Sequence, residues 1–237
     1  MNRQGISRAA SIAAVIAFSI GSSAFASDPE SACQPTNCTQ QSPVDITGAI
    51  AAKLEPLVID YSAGDFLVYN DGHTIKVLPP KNAIMTLRIG TTVYALKQFH
   101  FHHESEHTID RVAKPMEVHF VNENAGGAAV IGVFLDSSGK NAAFNAIMRV
   151  APQQIGPEHA VPVHIDPNRL LPPRDHRRYW TYMGSLTTPP FDEVVRWLVL
   201  RTPVAVSDGD IEKFKTFYEN DARPVRPIER RFILSSP

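Results

Sequence analysis

Two short segments carry the side chains most capable of chemistry: Gln98-Phe99-His100-Phe101-His102 and, a short way on, Glu117-Val118-His119. In a β-strand successive side chains point to opposite faces, so Gln98, His100 and His102 share one face while Phe99 and Phe101 share the other. The second segment repeats the pattern, with Glu117, His119 and Val121 alternating with Met116, Val118 and Phe120. Two such strands, linked through residues 103–115 and pairing antiparallel, bring three imidazoles to one point. Three neutral imidazoles with an open fourth position make a catalytic zinc site, so the pattern reads as a metal enzyme. Two plainer explanations stand beside it: hydrogen-bonded core histidines, and a His-rich patch that only sequesters metal.

The elements that must hold these residues are strands. Alternation and turn residues predict a strand at 66–69, a turn at Asn70-Asp71-Gly72 and a strand at 73–77, with His73 carried to the strand edge. Further strands are expected at 85–89, 92–101, 116–121, 129–135 and 194–200. Residues 41–46 read as an extended segment entering the fold. Helical spacing is confined to 141–150 and to a segment after Ser207, where a Ser/Asp cap precedes Ile211, Phe214 and Tyr218. With 19 prolines and 13 glycines in the chain, the expected architecture is mainly β (α+β). It has one large, central, mostly antiparallel twisted sheet, long ordered loops and a few short peripheral helices.

Residues 1–26 have the make-up of a secretory signal peptide: Arg3 and Arg8, a short apolar run at 9–20, then Ala24-Phe25-Ala26 as a cleavage site. The run is too short to span a membrane, and no later stretch approaches one. A periplasmic or secreted protein is expected, with residues 27–237 as a single catalytic domain. Losing Arg3 and Arg8 makes the formal net charge of −1 two units more negative, and without a basic stripe this excludes a nucleic-acid partner. The arginine groups 174, 177, 178 and 223, 226, 230, 231 read as solvated surface or ion-paired loops. Cys33 and Cys38, the two cysteines, could pair in an oxidising compartment and close a small loop, and the sequence leaves open whether they do.

Late in the chain, residues 179–190 read Tyr-Trp-Thr-Tyr-Met-Gly-Ser-Leu-Thr-Thr-Pro-Pro. Paired prolines fix φ and exclude a helix or central strand, so the run is expected to be a rigid loop. Such a loop either presents the hydroxyls of Thr187 and Thr188 or merely packs. Taken in order, Gln41-Ser42-Pro43-Val44-Asp45-Ile46, Asn70-Asp71-Gly72-His73, Gln98 to His102, Ser105-Glu106-His107-Thr108, Glu117-Val118-His119, the 129–135 strand, 179–190 and Trp197 resemble the α-class carbonic anhydrases. The resemblance extends from Gln41 to Arg223-Pro224.

It implies that His100, His102 and His119 hold zinc, with Gln98 and Glu117 orienting His100 and His119 by accepting their free ring N–H groups. By the same carry-over, Thr187 accepts from zinc-bound hydroxide and donates to Glu106. Thr188 lines the polar side of the pocket. Val121, Val130, Leu186, Val195 and Trp197 form the apolar wall for carbon dioxide, and His73 is the proton shuttle. His107 becomes a buried hydrogen-bonding residue and His103 an exposed one. The implied reaction is hydration of carbon dioxide to bicarbonate and a proton.

The chain departs from the family pattern at three places. The segment before Gln41 is shorter and lacks the usual aromatics. Phe191 stands where bacterial members often carry a cysteine that bonds an N-terminal one. Lys76 takes a pocket position usually held by a neutral polar residue, where its charge would lower the pKa of a metal-bound water. Two non-enzymatic alternatives are a catalytically impaired zinc-binding module of the same fold and a zinc-sequestering periplasmic protein. The first is opposed by the presence of all three histidines, Thr187 and Glu106, and the second has no need of the Thr-Thr-Pro-Pro loop.

Overall fold

Strict alternation of apolar and polar residues produces strands here, and the site lies where two of them are buried on both faces. The computed structural model describes residues 38–237. The expected signal peptide and Cys33 lie outside the described residues. β1 (Gly64–Asn70) and β2 (Ile75–Leu78) form the hairpin expected around Asn70-Asp71-Gly72. His73 sits in the exposed turn itself, two residues before β2 begins, rather than on a strand edge. β3 (Thr92–His102) and β4 (Met116–Asn124) carry the histidine segments, and β5 (Gly127–Asp136) returns antiparallel from β4. α1 (Ala142–Val150), β6 (Tyr179–Gly184), β7 (Val195–Ala205) and α2 (Asp208–Lys215) follow.

These strands belong to a twelve-stranded sheet. Its order runs Val161–Ile165, β1, β2, β3, β4, β5, β7, β6, Leu234–Ser235, Ile50–Ala51, while Thr86–Ile89 joins Leu57–Asp60 to β3. Most neighbours are antiparallel. β5 and β7 pair in parallel, as do Leu234–Ser235 and Ile50–Ala51, which makes the sheet mixed. The β5–β7 pairing is possible because α1 and β6 intervene in the chain and supply a long crossover. No helix among the described residues is long and apolar enough to cross a membrane.

The two faces of the sheet bury different things. On one, Phe99 and Phe101 of β3 and Phe120 of β4 join the main core, with Phe99 and Phe120 centroids 5.0 Å apart and Phe101 as close to Phe144 of α1. On the other face lie His100, His102 and His119, flanked by a second cluster that includes Val121, Val130, Trp197 and Tyr182. A helix over one face and an interior site on the other explain why β3 ends in four buried residues in a row. Asn141 caps α1 by accepting from the N–H groups of Ala143 and Phe144, and Ser207 caps α2 by accepting from Asp210. α2 ends at Lys215, so Tyr218 lies beyond it and is free to face elsewhere.

Residues 179–190 are not one loop. Residues 179–184 are β6, paired with β7 on one side and Leu234–Ser235 on the other, and only 185–190 form the rigid turn. The prolines restrict their own positions and the residue before them, and the strand upstream escapes that restriction. Nor is the second arginine group all solvated surface. Arg223 is 9% exposed and donates through Nη1 to Gln41 Oε1 (2.9 Å) and Ser42 O (2.7 Å), while Arg231 Nη2 donates to Gln41 O (2.8 Å). Both tie the entry segment down. Cys38 is disulfide-bonded, and Cys33, the other cysteine, lies outside the described residues.

Because Phe99 is fully buried directly behind the histidine face, Phe99→Ala is expected to cost about 3–5 kcal/mol of stability, read from denaturant unfolding of the metal-free protein.

Candidate metal centre

Antiparallel pairing of β3 with β4 places His119 directly opposite His100 and Glu117 opposite His102. The three imidazole centroids lie 5.0 Å (His100 to His102), 5.3 Å (His100 to His119) and 4.8 Å (His102 to His119) apart, and their candidate ligand atoms fall within 4.8 Å of one another. Burial disfavours the imidazolium and, with repulsion from His102, His119 and Lys76, holds His100 well below its usual pKa. Burial likewise lowers His102 to about 4 against the opposing pull of Glu117, and lowers His119. All three are therefore neutral at neutral pH, the form in which imidazole binds a metal. Both ring nitrogens of His102 are buried with no hydrogen-bond partner, a costly state that a metal bond would relieve at one of them. The donor set and the orphaned nitrogens fit a divalent transition metal.

The groups behind the triad fix its orientation. Gln98 Oε1 accepts from His100 Nδ1–H at 2.9 Å. Glu117, fully buried, has Oε1 3.0 Å from His119 Nε2 and 2.8 Å from His107 Nδ1, and its Oε2 accepts the His107 backbone N–H at 2.9 Å. Burial alone would raise this carboxyl, but His107, His119 and their hydrogen bonds hold it well below the usual carboxylate range. A second His/Glu group, His107 with Glu117 and His119, is not a competing metal site. Both ring nitrogens of His107 are already engaged, Nδ1 with Glu117 and Nε2 with the Tyr182 hydroxyl at 2.7 Å. His103 is bonded through Nδ1 to Glu219 O and, like His107, is not a ligand.

Gly132, opposite His119 on β5, explains how Glu117 comes so close. A Cβ there would stand 2.6 Å from Glu117 Oε1, so any larger residue pushes the carboxylate off its histidines.

Glu106 is 2% exposed. Its Oε1 accepts the Arg223 N–H at 3.0 Å, and its Oε2 lies 3.7 Å from both His102 Nε2 and His119 Nδ1. Burial raises its pKa, while His119, the Arg223 N–H and the Thr187 hydroxyl pull the other way. Thr187 is thus within reach of the carboxylate, although Oε2 has no partner in good hydrogen-bond geometry. Thr187, Thr188, Gln98, His100, His102 and His73 line one cavity of about 650 Å³. Val121, Val130, Val195 and Trp197 with Leu186 pack as one apolar cluster beside the triad, the Trp197 ring 4.8 Å from that of His119.

Sequence reasoning missed several wall residues. Asp71, Tyr218, Asp221 and Arg223 all face the cavity. Asp221 lies 3.8 Å from His102 Nδ1 through Oδ2 and accepts the His103 N–H at 2.8 Å, and burial pushes it up to about 8. Lys76 does line the cavity, but as a partner of Asp71 at 2.6 Å, so its charge does not act alone on the triad.

Residues 27–236 match the family profile described as eukaryotic-type carbonic anhydrase. The chain belongs to that family. A carbonic anhydrase of Klebsiella pneumoniae is 35% identical over 204 residues, 85% of this chain and 81% of the relative, and one of Neisseria gonorrhoeae is 37% identical over 82% and 76%. Among solved structures, a hyperthermostable carbonic anhydrase from a hydrothermal vent chimney superposes with a TM-score of 0.78 at 38% identity, covering 84% of this chain and 88% of its own. The Thermovibrio ammonificans α-carbonic anhydrase in complex with sulfanilamide gives 0.75 at 37%, covering 83% and 87%. This carbonic anhydrase is an enzyme, and hydration of carbon dioxide is its general reaction.

Two outcomes follow from the geometry. Gly132→Ala should weaken zinc binding about 10- to 100-fold, measured by competition with a chelator, because it displaces the carboxylate behind His119. The triad imidazoles have folded-state pKa values below the free-histidine value of 6.5, so in that window the unfolded chain binds more protons. Metal-free protein should therefore lose stability as the pH falls from 6.5 towards 4, the window set by His102, as denaturant midpoints will show.

Proposed function

We propose that this carbonic anhydrase is an exported zinc enzyme converting carbon dioxide reversibly to bicarbonate and a proton. The observation that carries the reading is a neutral buried histidine triad, two of whose members, His100 and His102, line one cavity with a threonine hydroxyl backed by a buried carboxylate. His100, His102 and His119 would hold the ion. Bound zinc supplies the Lewis acidity that makes water acidic near pH 7, a figure for which carbonic anhydrase is itself the reference case.

The chain's own residues do the rest. With Oε1 committed to the Arg223 N–H, Glu106 in its ionised form would only accept, which would direct the Thr187 proton at the carboxylate. The lone pairs of Thr187 Oγ1 are then left to accept from the attacking oxygen. That bond holds the oxygen's one hydrogen and turns its own lone pair towards the substrate carbon. Val121, Val130, Leu186, Val195 and Trp197 pack as an apolar cluster beside the triad rather than along the cavity itself, the side on which carbon dioxide would rest, and Thr188 lines the cavity as the polar rim suited to bicarbonate. Each turnover leaves a proton behind. His73, exposed at the cavity mouth, is the imidazole placed to take the proton and release it to buffer. Export is supported by the charge, apolar run and cleavage pattern of residues 1–26. No observation favours the impaired-module alternative.

Stopped-flow hydration of carbon dioxide by the purified protein, with zinc determined on the same sample, tests the reading. Rapid hydration at one zinc per chain, abolished in His119→Ala, is expected; bound zinc without hydration would sink the enzyme assignment. His73→Ala should slow turnover in weak buffer and recover with added imidazole, and an unchanged buffer dependence would remove His73 from the shuttle role.

A further inference from the structure

The turn carrying His73 contains a second charged constellation that the reaction described above does not use. Asp71 Oδ1 accepts the backbone N–H groups of His73 (2.9 Å) and Thr74 (2.8 Å), and Asp71 Oδ2 holds Lys76 Nζ at 2.6 Å. Lys76 is paired in register with His100 across β2 and β3, and the Thr74 hydroxyl donates to Phe101 O, between the two histidines of β3. The Asp71–Lys76 pair therefore stands on the wall between the triad and His73, and both side chains face the cavity, 17% and 25% exposed. The pair thus shares one cavity with His73 and with His100 and His102.

The chemistry of the pair is asymmetric. An ammonium has three donors and no acceptor, so with one N–H on Asp71 the others are left to donate and none of them can accept. Without its partner it would also place a full positive charge beside water that must carry an excess proton. Like charges a few ångströms apart in a partly desolvated cleft repel strongly enough to change a rate about tenfold. Three of the roughly four acceptor sites of the Asp71 carboxylate are already taken, two on Oδ1 by backbone N–H groups and one on Oδ2 by Lys76, so it is poorly placed to relay that proton itself. Its charge is what matters. The other ionisable groups on this cavity are His100, His102, Asp221 and Arg223, with Tyr218 at the rim, and among the described residues the ion-pair partner of Lys76 is Asp71.

We propose that Asp71 is a positioning residue for proton transfer: by holding Lys76 Nζ it cancels a cation that would otherwise repel the proton travelling from the triad to His73. This rests on the hydration reading above and on His73 as its shuttle.

The test uses the zinc-loaded enzyme and three variants: Asp71→Asn, Lys76→Met and the double variant. Asparagine keeps an Oδ1 for the two backbone N–H groups, so it removes the charge and spares the turn. Hydrogen exchange at the His73 and Thr74 amides, together with zinc content, reports whether the turn and the metal site are intact. With both intact, Asp71→Asn should lower kcat in weak buffer about tenfold while kcat/KM for carbon dioxide stays within twofold. The double variant should recover most of that loss, because the uncompensated cation is gone. An Asp71→Asn enzyme as fast as the parent, a loss falling equally on kcat/KM, or a double variant no better than Asp71→Asn would each overturn the proposal. Loss of amide protection in Asp71→Asn would do so as well, by showing that the carboxylate serves only the turn. A parent enzyme with no buffer dependence would instead overturn the shuttle reading, and this proposal with it.

Discussion

Everything at this site depends on keeping three imidazoles neutral while they are crowded within 4.8 Å and nearly cut off from water. Crowding and desolvation both oppose the charged form, so neutrality costs nothing to maintain; the difficulty is orientation. A neutral imidazole offers one lone pair, and that lone pair must face the ion rather than the protein. Gln98 and Glu117 settle this for His100 and His119 by taking up the other ring nitrogen. Glu117 in turn needs its negative charge stabilised in a fully buried position, which His107 and its backbone N–H provide. The chain of dependence ends at Gly132, whose missing side chain is the space Glu117 occupies.

The sheet converts that chemical demand into a fold. Because side chains alternate along β3 and β4, the demand for polar residues on one face leaves the other free to be apolar, and Phe99, Phe101 and Phe120 use it to bind the core. The same strands thus hold the site rigid from behind. Hydrophobic burial of the phenylalanine face contributes the stability against which the buried polar face, with its unpartnered nitrogens, can be maintained.

How much of this is legible in the sequence follows from the range of each interaction. The β3 and β4 alternation, the 141–150 helix, the Ser207 cap and the Asn70-Asp71-Gly72 turn are local, and the chain reports them directly, although Asn141 proves to cap its helix rather than belong to it. The strand at 179–184 is hidden because two prolines just beyond it dominate the local signal, while its actual support comes from β7 and Leu234–Ser235. The Asp71–Lys76 pair is close in sequence yet illegible, since a turn and a strand start lie between them and only the fold shows that both face inward. Asp221 and Arg223 reach the cavity from more than a hundred residues away, and nothing in their own neighbourhood marks them.

Arg223 also answers a question raised by Phe191. Where a cysteine at this position would allow a covalent tie to the N-terminal segment, the guanidinium of Arg223 stacks 3.9 Å from the Phe191 ring centroid, Gln41 Nε2 donates to Phe191 O, and Arg223 itself grips Gln41 and Ser42. A cation–π contact contributes about 0.5–2 kcal/mol and a disulfide typically about 2–4, so the stack alone is the weaker fastening. It reaches further, however. The backbone N–H of the same arginine is bonded to Glu106, so the element that secures the entry segment also fixes the carboxylate against which Thr187 is set. A disulfide at 191 would secure the loop and leave Glu106 untouched. In this chain one residue, Arg223, both anchors the N-terminal segment and fixes the Glu106 carboxylate beside the triad, so a change that displaces it must disturb both.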